Sequence, residues 1–353
     1  MKTPSVTVNK ALKDCQDSKQ HLLIDIRSPA ERQKGIPQDS LAIQANNLLN
    51  YAKENFQKDH TYYIICQKGI SSATAVDLLM ANGISNSFNV EKGFEYWQEC
   101  KLPFEIPAIT PHDMRYSRHY QLQGFGKQAQ EKLSNAHVLL IGAGGLGSSS
   151  ALYLAAAGVG TLTIIDNDVV QLSNLQRQII HTTDSIDTLK VDSAKSRMQA
   201  INPEITIQAI AEKLNSNNAE QLITQADVII DGTDNLKTRY LVNDFCIKHK
   251  KPLVYAAVYQ FEAQISVFDM RLESSPCLRC LFPLTEGFEP ANCSTEGVLG
   301  VVPGFAGILQ ASETIKLITQ VGQTLQSKLL ISNLLDNSYR TIKYKKDQNC
   351  KLH

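Results

Sequence analysis

Three glycines, Gly142, Gly144 and Gly147, form a GxGxxG spacing that constrains the fold of the chain more than any other feature. The apolar run AHVLLIG before this turn predicts a buried strand, and SSSALYLAAAG after it predicts a helix. A strand, a glycine-rich turn and a helix in this order bring backbone N–H groups and the positive end of a helix close to phosphates. The segment therefore predicts a nucleotide site at one edge of a sheet.

Strand and helix patterns alternate after this turn. TLTIID and ADVIID predict buried strands at 161–166 and 226–231, and LKVDSAKSRMQAIN predicts a helix between them. This succession predicts a doubly wound, largely parallel α/β sheet. The runs at 252–259 and 263–269 are too close in sequence for a parallel crossover, so we expect an antiparallel hairpin that makes the sheet mixed. A further helix is predicted over 305–319.

Charged residues after successive strands bear on the kind of nucleotide. Asp166 ends a strand where it can hydrogen-bond a ribose hydroxyl, which together with the glycines alone would also fit NAD and a dehydrogenase. Arg177 and Lys190 add cations, and Asp234 adds an oxygen ligand for Mg²⁺. A triphosphate, with roughly four negative charges, requires such groups. The sequence thus favours a nucleoside triphosphate; the alternative is that the cations are ordinary surface charges.

Charge and hydropathy exclude several classes of partner. Lysine plus arginine equals aspartate plus glutamate, 35 each, so no net field favours nucleic acid or a membrane surface. The first twenty residues lack a signal-peptide pattern, and no apolar run approaches the roughly 18 residues of a membrane helix. We therefore expect a cytoplasmic enzyme.

From Arg115 to the last residue, the chain resembles the MoeB/ThiF family, the bacterial relatives of ubiquitin-activating enzymes. The resemblance rests on RYSRHYQLQGFG, GAGGLGS, IDNDVVQLSNLQRQ and GTDN. It implies a Rossmann-like, mixed-sheet domain of the ubiquitin-activating type that binds ATP and Mg²⁺. The implied reaction is adenylation of the C-terminal carboxylate of a ubiquitin-like sulfur-carrier protein ending in Gly-Gly, for molybdopterin or thiamine biosynthesis or a related thiolation pathway.

The resemblance also implies roles for individual residues. Arg118 would reach into the site of a partner subunit, which would make a homodimer the functional form. Arg177 and Asp234 would act with Arg118 in catalysis. The predicted nucleotide contacts are Gly142, Gly144, Gly145, Gly147, Asp166, Asp168, Ser173, Asn174, Arg177, Lys190, Asp234 and Asn235.

Cys277 and Cys280 have the spacing of half a tetrahedral zinc site. The family usually supplies a second Cys-x-x-Cys pair, whereas here the sequence ends Cys350-Lys-Leu-His353. The resemblance therefore implies Cys350 and His353 as the remaining Zn²⁺ ligands. The alternative is two reduced structural thiols and a disordered tail.

Cys293 lies in the glycine-containing stretch ANCSTEGVLGVVPG, a composition that suits a mobile loop better than a core. The family carries at this place a cysteine that can form a thioester or disulfide link to the carrier. The resemblance implies the same for Cys293.

The first hundred residues predict a separate small α/β domain. HLLIDI and TYYIIC read as buried strands, and a helix is predicted over 71–83. Cys66 follows the second strand in a loop that leads to this helix, where N–H groups and the helix dipole favour a thiolate. The loop CQKGISS, together with LLIDIRSPAERQKGIP and VEKGFEYWQECKLP, resembles rhodanese domains and implies a persulfide on Cys66.

The segment KLPFEIPAITPHDM separates the two parts and contains three prolines, Pro103, Pro107 and Pro111, which we expect to exclude both helix and central strand. We predict a rhodanese-like domain over 1–104, a linker over 105–114 and the adenylating domain over 115–353. Many rhodanese domains carry arginine where this loop has Ser71, and Lys68 could compensate. The alternative is a non-catalytic docking module.

Together the two resemblances imply a sulfur relay. Sulfur from a cysteine desulfurase or thiosulfate would pass through Cys66 to the adenylated carrier and give a thiocarboxylate. The alternatives are an NAD-dependent oxidoreductase, which leaves the cysteines and cations unexplained, and a non-catalytic scaffold that binds a carrier.

Overall fold

The computed structural model describes residues 3–106, 110–283, 297–350 and Leu352. Contacts divide the chain into two compact units, Met1–Gln121 and Leu122–His353, and each has its own sheet and apolar core. No helix of the described residues is long and apolar enough to cross a membrane.

The first unit is built on a five-stranded sheet in the order β1-β6-β5-β2-β4, with all of its pairs parallel, and a separate two-stranded sheet of β3 and β7. Its strands are β1 (Ser5–Val6), β2 (His21–Asp25), β3 (Ile36–Pro37), β4 (Leu41–Ala42), β5 (Thr61–Ile65), β6 (Ser87–Val90) and β7 (Phe104–Glu105). Its helices are α1 (Val8–Asp17), α2 (Pro29–Arg32), α3 (Leu48–Asn55), α4 (Ile70–Ala81), α5 (Gly93–Glu99) and α6 (Pro111–Tyr120).

Both faces of the five-stranded sheet are covered. Ile24 and Ile64 pack into one apolar cluster with α4, while their neighbours Leu23 and Ile65 pack into a second cluster around Trp97. Successive side chains of a strand point to opposite faces, so a strand buried on both sides reads as an unbroken apolar run. This is why HLLIDI and TYYIIC could be recognised as strands.

The proline-rich segment differs from the expectation at its C-terminal end. Pro111 is the first residue of α6, and the Thr110 side chain caps the helix by accepting from the Asp113 N–H at 3.0 Å. Proline is tolerated at this position because the first helical N–H has no partner within the helix. The expectation that Pro111 excludes helix is therefore wrong, whereas the predicted domain limits stay a prediction.

The second unit is built on an eight-stranded sheet in the order β10-β9-β8-β11-β12-β13-β14-β15. Its strands are β8 (His137–Ile141), β9 (Thr161–Ile165), β10 (Thr206–Ile210), β11 (Val228–Asp231), β12 (Pro252–Tyr259), β13 (Glu262–Asp269), β14 (Lys328–Asn333) and β15 (Ser338–Lys343). Its helices are α7 (Gly126–Asn135), α8 (Gly145–Ala157), α9 (Lys190–Ile201), α10 (Ala219–Gln225), α11 (Leu236–Lys248), α12 (Leu278–Leu281) and α13 (Val301–Thr319).

This sheet is mixed, as predicted. Pairs from β10 to β12 are parallel, and those from β12 to β15 are antiparallel. After β8 the chain continues to β9 and β10 on one side and later returns to β11 on the other. The carboxyl ends of β8 and β11 therefore flank a topological switch point, where ligands of open α/β sheets bind.

Helix α13 packs closely against α8 and begins four residues before the predicted helix. A Cβ on Gly307 would lie 2.3 Å from the carbonyl oxygen of Leu146, so the two backbones touch only because this residue is glycine. Pro303 falls in the first turn, where a missing N–H costs no helical hydrogen bond. The expectation of an irregular backbone up to residue 304 is therefore wrong for 301–304.

Candidate active site

The glycine-rich turn joins β8 to α8 and is shaped by close backbone contacts. Gly142 has a φ of +98°, and a Cβ there would lie 2.8 Å from the Gly232 carbonyl oxygen. A Cβ on Gly147 would lie 2.0 Å from the Gly142 carbonyl oxygen. Gly144 differs, because a Cβ there would meet only Gln178 Nε2, at 3.8 Å. Two glycines are thus required by the fold, whereas the fold leaves room for a Cβ on Gly144.

Asp166 follows β9 and is held beside this turn. Its Oδ2 accepts from the Ala143 N–H at 2.8 Å, and its Oδ1 accepts from the Asp168 N–H at 2.8 Å. Each carboxylate oxygen keeps a further lone pair for a ligand hydroxyl. The carboxylate is therefore positioned for the predicted contact with a ribose.

Lys190, the first residue of α9, is paired with Asp168. Its Nζ donates to Asp168 Oδ2 at 2.8 Å, and its side chain is 8% exposed against 61% for that of Asp168. An ammonium group has three donors, so the ion pair leaves two for other acceptors. The lysine is thus a largely buried cation on a fixed anchor.

Arg177 lies on the other side of the turn. Its Cγ is 3.6 Å from the position of a Cβ on Gly145, and its Nη1 donates to the Ser173 carbonyl oxygen at 3.2 Å. No carboxylate of the described residues forms an ion pair with it. Ser173 and Asn174 belong to the short 3-10 turn Leu172–Asn174 just before it. The guanidinium is therefore available to an anion.

Asp234 and Asn235 follow β11. Asp234 is exposed, and its carboxylate accepts no hydrogen bond from the described part of the chain. Asn235 caps α11, where its Oδ1 accepts from the Thr238 N–H at 2.9 Å, which leaves the amide NH₂ for a ligand. These two residues offer one free carboxylate and one amide at the edge of the sheet.

A buried hydrogen-bond network holds the turn that carries Asp234. Asp231 accepts from the Thr233 N–H at 2.9 Å and from its hydroxyl at 2.7 Å. Arg239 Nη2 donates to the Thr233 carbonyl oxygen at 2.6 Å. Burial raises the pKa of Asp231, and the nearby Arg239 opposes that effect. The network fixes the backbone of Thr233, the residue that precedes Asp234.

His181 was not recognised in the sequence. Its Nε2 lies 3.0 Å from the Ala143 carbonyl oxygen and its Nδ1 lies 2.9 Å from Ser193 Oγ, so it links the glycine turn to α9. Burial lowers its pKa, and the nearby Lys190 adds to this effect. A neutral ring can donate from Nε2 and accept at Nδ1, which suits both contacts.

In the first unit, Cys66 follows β5 at the start of α4. Its Sγ lies 3.1 Å from the Gly69 nitrogen and 3.2 Å from the Ser72 nitrogen, so two backbone N–H groups donate to the sulfur. Ser72 Oγ lies 3.1 Å from the same sulfur and 2.6 Å from Oδ1 of Asn89. This arrangement of donors stabilises negative charge on the sulfur. Ser72 and Asn89 were not singled out in the sequence.

The loop of Cys66 is anchored by Arg27. This buried guanidinium pairs with Asp25 at 2.7 Å and donates to Gln67 Oε1 at 3.1 Å. Lys68 and Ser71, which follow Cys66 in the chain, are exposed. The predicted replacement of an arginine by Lys68 stays a prediction.

Three of the predicted metal ligands lie together. Cys277 Sγ is 3.8 Å from both Cys280 Sγ and Cys350 Sγ, and all three sulfurs lie within 4.8 Å of one another. A tetrahedral site with Zn–S bonds of about 2.3 Å has S···S edges of about 3.8 Å. Burial raises the pKa of Cys277 to about 12, so its thiolate needs a cation beside it. The three sulfurs therefore suit a tetrahedral metal ion.

Three predicted site residues are not joined to these groups. Cys293 and His353 lie outside the described residues. Arg118 is exposed on α6, in the first unit. The roles predicted for these three residues stay predictions.

Two family models match the chain. The ThiF family matches residues 116–352, and the rhodanese-like domain matches residues 7–100. These matches agree with both resemblances that the sequence motifs indicated.

Three curated relatives share 40 to 46% identity with the chain. The SAMP-activating enzyme E1 of Haloferax volcanii is 40% identical, over 67% of this chain and 87% of that protein. The adenylyltransferase and sulfurtransferase MOCS3 of Culex quinquefasciatus is 45% identical, over 65% of this chain and 52% of that protein. The probable adenylyltransferase/sulfurtransferase MoeZ of Mycobacterium tuberculosis is 46% identical, over 66% of this chain and 60% of that protein. The matched part is thus little more than half of the last two proteins.

Solved structures show the same fold at low identity. Escherichia coli MccB with MccA-N7isoASN gives a TM-score of 0.61 at 23% identity, covering 73% of this chain and 79% of that chain. PaaA gives a TM-score of 0.58 at 23% identity, covering 72% of this chain and 81% of that chain. These likenesses concern the fold alone.

Proposed function

The chain belongs to the ThiF family and also carries a rhodanese-like domain, and we propose that it uses ATP to adenylate the C-terminal carboxylate of a ubiquitin-like sulfur-carrier protein. One observation carries the proposal. A glycine-rich turn with room for a Cβ at Gly144 is bordered by the ribose-binding candidate Asp166, the cations Arg177 and Lys190, and the carboxylate of Asp234, which pairs with no described residue. The names of the curated relatives support it.

The chemistry follows from charge. A carboxylate is ionised at pH 7, so its attack on the α-phosphorus needs no general base. What limits the attack is repulsion between anions and the charge that develops on the leaving pyrophosphate. Arg177 and Lys190 would oppose both, and Mg²⁺ held by Asp234 would supply a further positive charge. Asn235 would hold a phosphate oxygen through its free NH₂ group.

The front domain supplies sulfur in this proposal. The terminal sulfur of a Cys66 persulfide attacks the acyl adenylate, AMP leaves, and an acyl disulfide joins the carrier to Cys66. The thiol of Cys293 then attacks the cysteine sulfur of this disulfide, which releases the carrier thiocarboxylate and leaves a Cys66–Cys293 disulfide. A cellular thiol reduces that disulfide. The backbone N–H donors to Cys66 Sγ support the loading of Cys66 with sulfur, because they stabilise the thiolate that takes up the sulfur.

Two further elements complete the proposal. Cys277, Cys280 and Cys350 hold a structural Zn²⁺ with His353 as fourth ligand, because the spacing of the three sulfurs suits that ion. The functional form is a homodimer in which Arg118 acts in the partner's site. Exposed apolar residues beside the nucleotide site support a dimer surface: Leu172 is 69% exposed and Val301 is 62% exposed. The pathway is molybdopterin or thiamine biosynthesis, or a related thiolation.

The deciding experiment is exchange of labelled pyrophosphate into ATP by the purified chain. Exchange should require a carrier ending in Gly-Gly. Arg177→Ala should lower its rate by on the order of a hundredfold, because one lost transition-state contact costs about that much. Arg197→Ala is the matched control, since Arg197 lies on α9 and has no predicted role at the site. Exchange that survives both Arg177→Ala and Asp234→Ala at the native rate would show that the assignment is wrong.

A further inference from the structure

Gln178, one residue after Arg177, has a buried side-chain amide that forms no hydrogen bond with the described residues. The residue is only 4% exposed to solvent. Oε1 is buried and unpaired, and Nε2 donates to no group of the described residues. Burying an unpaired amide lowers stability, and folded chains rarely keep one without a reason. The side chain therefore points to a partner that is not part of this chain.

The position of the amide identifies that partner. Nε2 lies 3.8 Å from the position of a Cβ on Gly144, and it is the one described atom within 4 Å of that point. The N–H groups of 144–147, at the start of α8, also have no described acceptor. Such a helix terminus attracts anions, above all phosphates. The Gln178 amide and the start of α8 thus border the same space.

The backbone keeps Gln178 in this place. Its own N–H donates to the Asn174 carbonyl oxygen at 3.0 Å, and its carbonyl oxygen accepts from the His181 N–H at 3.0 Å. His181 in turn lies 3.0 Å from the Ala143 carbonyl oxygen in the glycine turn. The amide is therefore fixed relative to the turn before any ligand binds.

We propose that Gln178 binds the nucleotide, with Nε2–H donating to a phosphate oxygen that lies over Gly144. This inference rests on the proposed function and adds a residue to its site. A neutral donor beside the Arg177 guanidinium orients a phosphate without adding charge. The binding of nucleotide offsets the cost of the unpaired amide in the free protein.

The test compares nucleotide affinity with the stability of the free protein. Gln178→Met keeps the length of the side chain and removes both polar atoms. Its affinity for Mg·ATP, measured by calorimetry, should fall about 10- to 100-fold, as expected for one hydrogen bond to a charged group. Its thermal midpoint without nucleotide should stay unchanged or rise, because an unpaired buried amide has been removed. A merely structural glutamine would give a lower midpoint.

Controls separate this inference from the proposed function. Gln171→Met makes the same change at an exposed position of the same segment and should leave affinity and midpoint unchanged. Gln178→Glu keeps the shape but replaces a donor with a negative charge, and it should weaken Mg·ATP binding at least as much as the methionine. If the native chain binds Mg·ATP and Gln178→Met and Gln178→Glu both bind it as tightly as the native chain does, this inference alone is overturned. If the native chain does not bind Mg·ATP, the proposed function is wrong and the inference falls with it.

Discussion

Replacing Gly144 by alanine should separate folding from nucleotide use. Gly144 has a φ of −81°, which other residues adopt, and an added Cβ would meet only Gln178 Nε2 at an ordinary 3.8 Å. We therefore expect the free energy of unfolding to change by no more than about 1 kcal/mol, the range of glycine-to-alanine effects at compatible sites and helix caps. The protein itself has room for this methyl group.

We expect no room for this methyl group once the nucleotide is bound. A Cβ extends about 1.5 Å from the Cα and would push a phosphate oxygen in contact with Gly144 outward by about that distance. A displacement of about 1 Å at a reacting group costs on the order of a hundredfold in rate. Carrier-dependent pyrophosphate exchange by Gly144→Ala should therefore fall by at least about a hundredfold, while its thermal midpoint stays near the native one.

Gly147→Ala is the contrasting variant. Its Cβ would lie 2.0 Å from the Gly142 carbonyl oxygen, so the backbone must shift and stability must fall. Exchange by Gly144→Ala within threefold of the native rate would refute the reasoning that phosphates approach this glycine. Loss of folding in Gly144→Ala would refute the claim that the fold tolerates a side chain there.

Two predictions concern the cysteines. Cys66→Ala should abolish thiocarboxylate formation from thiosulfate or a cysteine desulfurase, measured by mass spectrometry, yet leave pyrophosphate exchange intact because adenylation does not use this thiol. Thiocarboxylate made at the native rate by Cys66→Ala would mean that the front domain only docks. Native protein should contain about one zinc per chain by elemental analysis, and Cys350→Ser should lower both metal content and thermal midpoint, since structural zinc sites contribute folding free energy. Cys15→Ser is the control, because Cys15 lies outside the cluster of three sulfurs, and native protein without metal would show that the cluster has been misread.

Buried parallel strands were the most predictable part of the fold. β8, β9 and β11 lie between neighbours in the sheet, so both faces are covered and their sequences are nearly continuous apolar runs. β15 lies at the edge with all six residues exposed, and it shows no such run. β3 and β4 have only two residues each and depend on pairing rather than on their own pattern. These strands could not be recognised from the sequence.

The same distinction applies to the site. Asp166 and Asp234 could be singled out because polar residues directly after apolar strands collect at one edge of a parallel sheet. His181 and Gln178 follow no strand, and their contacts with Ala143 and Gly144 join residues more than thirty positions apart. No local pattern marks such residues, because their surroundings exist only once the chain has folded.

Lys190 shows how folding changes the meaning of a predicted residue. The sequence suggested a cation for phosphates, and the structure adds that this cation is 8% exposed and paired with Asp168. Burying an ammonium group is costly unless a counterion lies beside it. Asp168 therefore compensates the buried charge and holds Nζ in place, while its own exposed carboxylate remains partly solvated. Asp168 thus anchors the cation that we propose to bind phosphate, a role that its sequence position next to the ribose-binding candidate Asp166 did not reveal.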